Sequence, residues 1–130
     1  IELGSNEEQW NDLEAAKIVA KTILSLQDYP NHTPNENWIP SIGIGGPHYA
    51  PSFNKIQLNS NYAISHIIPE YAMPITEPML REAEQKTHEQ IKEIILDWKG
   101  CGKSEDRQKL IELMKNMGFS YKRSSEISKE

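Results

Sequence analysis

A glycine-rich loop carries the residues of this chain best suited to chemistry. The segment from Gly43 to Pro51 has the sequence Gly-Ile-Gly-Gly-Pro-His-Tyr-Ala-Pro and holds one imidazole and one phenol between two prolines. Imidazole titrates near neutral pH and binds metals, so His48 suits the role of general base or of zinc ligand, and both roles stay open. A tight surface turn with an exposed imidazole is the alternative. Such turns seldom enclose His-Tyr between two prolines, which favours a functional site.

The other residues of this loop are suited to hold a substrate. Gly45 and Gly46 lack a Cβ atom, so their backbone N–H groups can approach an oxyanion or a phosphate. Tyr49 can stack on a nucleotide base or donate its hydroxyl group. The loop therefore combines a titratable group with donors and a stacking surface.

The elements around the loop predict an α/β protein. Apolar or alternating segments predict strands over residues 39–44, 62–68, 91–98 and 119–121. Caps and apolar stripes predict helices from Ser5 to about Leu26, from Phe53 to Leu58, from Thr76 to about Thr87 and from Ser104 to Gly118. This alternation is typical of a three-layer, mostly parallel sheet with flanking helices. We predict one such domain over residues 1–123 and a flexible tail over residues 124–130.

Parallel strands bring polar residues together at one edge of the sheet, because their carboxyl ends meet there. We expect this edge to gather Glu2, His48, Asp97 and Lys99. The first helix should bury an apolar face composed of Trp10, Leu13, Ala16, Ala20, Ile23 and Leu24.

Charge is distributed unevenly along the chain. The net charge of -5 argues against a surface that coats nucleic acid in general. Residues 1–40 contain seven acids and two bases (-5), whereas residues 99–123 contain three acids and seven bases (+4). The second region suits either phosphate binding or a solvated helix surface, and both interpretations stay open. The single cysteine, Cys101, excludes an internal disulfide, and no apolar run reaches the length of a membrane span.

Five blocks of the chain match one family in the family's order. They are Ile1-Glu2-Leu3-Gly4-Ser5 with Glu8-Gln9-Trp10, Gly45 to Pro51, Ser65 to Ala72, Leu96 to Gly100, and Tyr121-Lys122-Arg123. One block would be a weak signal, but five in sequence are specific. The chain resembles the archaeal and plant type of D-aminoacyl-tRNA deacylase.

The resemblance implies a cytoplasmic hydrolase that cleaves the ester between a D-amino acid and the 3′ end of tRNA. It implies zinc as the cofactor and a fold similar to the peptidyl-tRNA hydrolase and phosphorylase group. Family members are about twice as long, so the resemblance also implies a missing N-terminal half of the same enzyme. Without that half, the chain alone is expected to lack complete activity. We expect a monomer that has D-aminoacyl-tRNA as its partner and no membrane contact.

The resemblance also implies roles for particular residues. His48 and His66 become the catalytic residues, and His48, His66 and Glu2 become the zinc ligands. The implied substrate-binding residues are Gly45, Gly46, Tyr49, Lys55, Trp98 and Lys99. Lys55 enters this set because Ser52 stands where the family has Lys or Arg. Without the resemblance, His66 would equally suit a hydrogen-bonded histidine of the core, and Trp98 a core residue.

Two further functions stay open at this point. A peptidyl-tRNA or small-amide hydrolase would use the same histidine and sheet. A tRNA-binding fragment without catalysis would depend on the basic residues of 99–123 and not on His48.

Overall fold

The computed structural model describes residues 3–28 and 37–127. The chain divides into two compact units, Ile1–Asn35 and Glu36–Glu130. Glu2, one of the expected zinc ligands, lies outside the described residues. The prediction of one domain over residues 1–123 stays a prediction.

Residues 3–28, the described part of the first unit, contain two helices where the sequence predicted one. Helix α1 spans Glu7–Trp10 and helix α2 spans Leu13–Ser25, followed by a 3-10 turn over Leu26–Asp28. The Asn6 side chain accepts a backbone N–H at the start of α1, and the Asp12 side chain accepts two at the start of α2. Ser5 is therefore not the cap, because Asn6 takes that position and Asp12 begins a second helix.

The predicted apolar face of the first helix is not buried. Helices α1 and α2 contain no buried residue. Trp10 is 60% exposed, Leu13 74% and Leu24 59%. The prediction from helical periodicity was thus correct about helix formation and wrong about burial.

The second unit is a four-stranded parallel sheet with helices on both faces, which confirms the α/β prediction. Strands β1 (Ile39–Ile44), β2 (Tyr62–Ile68), β3 (Glu93–Leu96) and β4 (Ser120–Arg123) lie in the order β2-β1-β3-β4. The helices are α3 (Pro51–Asn59), α4 (Glu77–Gln85), α5 (Ser104–Asn116) and α6 (Ser124–Ile127). Two 3-10 turns, Glu70–Ala72 and Trp98–Cys101, follow β2 and β3.

Each face of the sheet has its own hydrophobic core. One core joins strand residues to α4 and α5 and includes Ile42, Ile44, Ile94, Leu96, Leu80, Leu110 and Met114. The other joins strand residues to α3 and α6 and includes Tyr62, Ile95, Phe53, Ile56 and Ile127. Successive strand residues point to opposite faces, so the apolar runs of β1 and β3 fill both cores. Among the described residues, no helix has the length and hydrophobicity needed to cross a bilayer.

Three boundaries in this unit differ from the sequence predictions. Strand β3 is shorter than 91–98 because a 3-10 turn begins at Trp98. Ser104 is the first residue of α5 and not its cap, and the Asp106 carboxylate accepts the N–H of Lys103 at 2.9 Å instead. Residues 124–127 form α6 rather than a loose tail, because Ile127 is buried in the core beside α3.

The backbone segments that follow β1 and β3 are in close contact. Gly45 and Gly46 have φ angles of +90° and +80° and lie against the turn that follows β3. A Cβ atom on Gly100 would lie 2.1 Å from the backbone N of Gly46, and one on Gly45 would lie 2.7 Å from the carbonyl O of Asp97. Because no side chain fits between these segments, the glycines fix the position of the loop that carries His48 relative to the turn after β3.

Cys101 is fully buried beneath this contact. Its thiol donates to the carbonyl O of Asp97 at 3.2 Å. Burial raises the pKa of the Cys101 thiol to about 12, and the Asp97 carboxylate adds to the shift. At neutral pH Cys101 is therefore a neutral core residue and not a nucleophile.

Adding a methyl group to a glycine of this backbone contact should destabilise the fold. We expect Gly100→Ala to lower the free energy of unfolding by about 3 kcal/mol, because its Cβ atom collides with backbone. Gly118→Ala is the control: no atom lies within 4 Å of its Cβ position, and its positive φ alone costs about 1 kcal/mol. Urea unfolding of both variants measures the difference. Equal losses would show that the glycine contact is not tight.

Burial of Cys101 should make stability depend on alkaline pH. The pKa of the Cys101 thiol in the folded chain lies above the ordinary value of 9.0. Its contribution to the free energy of unfolding is therefore complete below pH 9 and is lost as the pH rises toward 12. The expected slope is at most about 1.4 kcal/mol per pH unit. Urea unfolding between pH 8 and pH 11 should show that Cys101→Ala lacks this component of the slope. Parallel curves for the two proteins would contradict it, since the tyrosines are common to both.

Candidate functional site

The loop after β1 presents His48 at the carboxyl edge of the parallel sheet. Pro47, His48 and Tyr49 are exposed, whereas Gly46 and Ala50 on either side are buried. Ala50 has a φ of +47° and its N–H donates to the carbonyl O of Pro47 at 2.9 Å. A positive φ is unfavourable for alanine, so the loop is held in a strained conformation, as functional loops often are. The imidazole of His48 is exposed to solvent at this edge.

An exposed aromatic cluster, defined here as His48, Tyr49 and Tyr71, forms at the ends of β1 and β2. The imidazole lies 5.1 Å from the Tyr49 ring at an interplanar angle of 79° and 6.4 Å from the Tyr71 ring at 30°. Tyr49 is 81% exposed and Tyr71 is 71% exposed. The N–H of Glu70 donates to the carbonyl O of Gly46 at 3.0 Å and holds Tyr71 beside the loop.

Tyr71 is a site candidate that the sequence analysis missed. It was noted only as part of the block from Ser65 to Ala72. A usable signal was present, because Tyr71 is the first aromatic residue after the strand that neighbours β1. The order of the strands was needed to interpret that signal.

The carboxylate of Asp97 links three elements at the same edge. Its Oδ2 atom accepts a hydrogen bond from the Oγ of Ser52 at 2.8 Å. A Cβ atom on Gly46 would lie 3.3 Å from this oxygen. Asp97 therefore joins the end of β3, the first turn of α3 and the loop, and Ser52 positions α3 through it. Asp97 and Lys99 follow the end of β3, which pairs in parallel with β1, and the gathering of Lys99 with His48 at this edge stays a prediction.

The backbone N–H of Gly45 is used within the sheet. The N–H of Gly45 donates to the carbonyl O of Ile68 at 2.8 Å. The backbone N of Gly46 is buried against Gly100. Because sheet pairing takes up the Gly45 N–H, the prediction that this group donates to an oxyanion or a phosphate is wrong, and the same prediction for Gly46 stays a prediction.

His66 lies in a different environment from His48. It pairs with Ile42 of β1 and lines a groove of about 320 Å³. The other lining residues are Ile67, Ile68, Met79, Glu82, Ala83 and Lys86, and the last four come from α4 or lie directly after it. His66 therefore faces α4, whereas the ring contacts of His48 are with Tyr49 and Tyr71. The two imidazoles therefore have different neighbours, and their meeting in one site stays a prediction.

Three remaining candidates are cationic or aromatic. Lys55 on α3 and Lys99 in the turn after β3 are exposed. The ring of Trp98 packs partly against the core and carries the guanidinium of Arg123 at 3.8 Å. The guanidinium of Arg107 lies 5.0 Å from the same ring. The Trp98 ring thus supports two guanidinium groups, and its role as a stacking surface for a base stays a prediction.

The described residues do not fit a zinc ion. They contain no group of three or more His, Cys, Asp or Glu residues placed to hold a metal. His48 and His66 lie in separate surroundings, and Glu2 lies outside the described residues. A zinc ion needs three or four ligands around one point. Zinc binding stays a prediction, and no chemical step is assigned to a metal.

Comparisons with known proteins identify the family. The family model described as D-aminoacyl-tRNA deacylase matches residues 1–122. The D-aminoacyl-tRNA deacylase of Pyrococcus abyssi is 39% identical over 121 residues, which are 93% of this chain and 43% of that protein. The one of Methanocaldococcus jannaschii is 33% identical over 123 residues, 95% of this chain and 47% of that protein.

A solved structure shows the same fold. The crystal structure of the conserved protein of unknown function AF0625 superposes with a TM-score of 0.71 at 29% identity, covering 98% of this chain and 43% of that one. The chain thus spans less than half the length of the relatives it matches. Because the family model covers nearly the whole chain, this chain belongs to the D-aminoacyl-tRNA deacylase family.

Proposed function

We propose that this chain takes part in the hydrolysis of the ester bond of D-aminoacyl-tRNA, releasing the D-amino acid and free tRNA. The observation that carries the proposal is the position of His48, whose exposed ring lies between two tyrosines at the carboxyl edge of the sheet. The substrate class comes from the names of the relatives. A cytoplasmic location follows from this substrate and is part of the proposal, and the monomeric state stays a prediction.

His48 acts as the general base in the proposed reaction. A neutral imidazole nitrogen accepts a proton from a water molecule, and the water oxygen adds to the ester carbonyl carbon. The tetrahedral intermediate then collapses, the bond between that carbon and the ribose oxygen breaks, and the ribose oxygen takes up a proton. An exposed base suits this reaction because the substrate is a macromolecule whose 3′ end must reach it.

The aromatic cluster positions the end of the tRNA. The rings of Tyr49 and Tyr71 are both mostly exposed, so a base can stack on either ring without displacing core residues. Stacking of this kind is worth about 1–3 kcal/mol per base. Lys55 on α3 and Lys99 in the turn after β3 are exposed and attract the phosphates nearby.

Replacement of His48 should abolish most of the hydrolysis. We expect His48→Gln to lower kcat about 10²–10⁴-fold, since it removes the general base. His66→Gln is the matched control and should retain activity, because His66 lies in the groove beside α4. The measurement is the release of D-tyrosine from D-tyrosyl-tRNA, with L-tyrosyl-tRNA as the stereochemical comparison. The assay is run on this chain alone and on a chimeric relative, in which this chain replaces the matching segment of the relative.

Two outcomes would contradict this function. The first is a chimeric relative that hydrolyses neither D- nor L-tyrosyl-tRNA while the unmodified relative hydrolyses the D form. The second is a His48→Gln protein that hydrolyses at the parental rate, which would favour tRNA binding without catalysis by this loop. Cleavage of N-blocked aminoacyl-tRNA in preference to D-tyrosyl-tRNA would instead favour a peptidyl-tRNA hydrolase.

Tyr71 should affect substrate binding more than the chemical step. We expect Tyr71→Ala to raise KM about 5–100-fold with little change in kcat, because a stacked base loses its partner. Tyr71→Phe keeps the ring and should restore KM. Steady-state kinetics of both variants on D-tyrosyl-tRNA measure this. Equal KM values for the alanine and phenylalanine variants would exclude stacking on Tyr71.

A further inference from the structure

We propose that Arg107 and Arg123 bind backbone phosphates of the tRNA within about three nucleotides of its 3′ end. The two guanidinium groups and Trp98 form a unit that we call the arginine ledge. This inference rests on the proposed function, because it takes the substrate to be a tRNA whose 3′ end reaches His48.

Trp98 holds both guanidinium groups in place. The guanidinium of Arg123 lies 3.8 Å from the centre of the Trp98 ring, and that of Arg107 lies 5.0 Å from it. The Nε of Arg107 also donates to the carbonyl O of Gly102 at 2.9 Å. Stacked arginines lose less conformational entropy when they bind a ligand, because their planar groups are already oriented. Their remaining N–H groups suit the bidentate recognition of a phosphate.

The nearby carboxylates do not neutralise the arginine ledge. Among the described residues, neither guanidinium forms an ion pair with a carboxylate. The Glu126 carboxylate accepts the backbone N–H of Arg123 at 2.8 Å, and the Asp106 carboxylate accepts that of Lys103 at 2.9 Å. Exposed Lys99 and Lys103 add positive charge on the chain segments next to the ledge. The local charge therefore favours an anion.

The sheet places the arginine ledge on the same edge as His48. Leu96 pairs with Ile44 on one side and with Arg123 on the other, so the ends of β1, β3 and β4 are level. Neighbouring strands lie about 4.8 Å apart, which puts β4 about 10 Å from β1. A stacked strand advances about 3.4 Å per nucleotide and an extended strand advances farther, so this distance corresponds to at most about three nucleotides. If the last base of the tRNA stacks on the aromatic cluster, the RNA backbone before it therefore passes the arginine ledge.

Binding of deacylated tRNA to the 130-residue chain tests the arginine ledge independently of hydrolysis. Fluorescence anisotropy over a series of KCl concentrations gives the slope of log K against log salt. We expect Arg107→Gln with Arg123→Gln to reduce the slope by about 1.4, which is about 0.7 for each lost contact to a single strand. Lys109→Gln removes one exposed positive charge two residues from Arg107 on α5 and should leave the slope nearly unchanged. The pair Arg107→Lys and Arg123→Lys keeps the charge without the planar stack and should weaken binding while retaining most of the slope.

A shortened RNA locates the contact. On tRNA that lacks its last six nucleotides, the parent and the double glutamine variant should bind alike. A persistent difference there would place the contact elsewhere and overturn the proposal. The proposal is also overturned if the parent does not bind tRNA at low salt, or if the double variant has the parental slope while circular dichroism shows it folded.

These outcomes separate the inference from the proposed function. A reduced slope without any release of D-tyrosine by the chimeric relative would support the arginine ledge and contradict the deacylase reaction. Hydrolysis of D-tyrosyl-tRNA with an unchanged slope in the double variant would support the reaction and contradict the ledge.

Discussion

The direct backbone contact between Gly46 and Gly100 is the constraint on which the site depends. A single methyl group on Gly100 would lie 2.1 Å from the backbone N of Gly46, so the ends of β1 and β3 approach as closely as two chains can. The N–H of Gly45 donates to Ile68 at the end of β2, and the N–H of Asp97 donates to Ile44 at the end of β1. Three strand ends are thereby fixed to one another, and His48, Tyr71 and Asp97 each follow one of them. The loop is consequently positioned by backbone and not by flexible side chains.

Much of the fold could be predicted from the sequence because its signals are local. The apolar run of Ile94, Ile95 and Leu96 predicts a buried strand, and the stripe Leu110, Met114 predicts the face of α5 that packs on it. Whether the apolar stripe of α2 is buried could not be predicted in this way. Helical periodicity shows that a face is apolar, but burial depends on what packs against it.

The chemistry of the site was harder to predict because it depends on pairing between distant segments. Strand β2 has an extra residue, Ser65, between the pairs Ser41–Ile64 and Ile42–His66. One extra residue moves every later side chain to the opposite face, so His66 faces α4 although Ile64 packs against the other core. The covering of Trp98 by arginines from α5 and β4 likewise follows only from the strand order. The sequence located the glycine-rich loop after β1, but it could not show which of the loop's N–H groups form hydrogen bonds within the sheet.

The carboxyl edge of the sheet divides into two surfaces of different chemistry. Beyond β1 and β2 lie exposed rings, and beyond β3 and β4 lie cations supported by Trp98. Stacking recognises a base face and is nearly independent of salt, whereas arginine recognises backbone phosphate and depends on salt. If the last base of a tRNA occupies the rings, its backbone must run across the strand ends toward β4, because the opposite direction leads away from the cations. The polarity of the edge therefore implies one direction for the bound strand. In the proposed reaction, that direction brings the ester to His48 only when the 3′ end of the tRNA lies at β1.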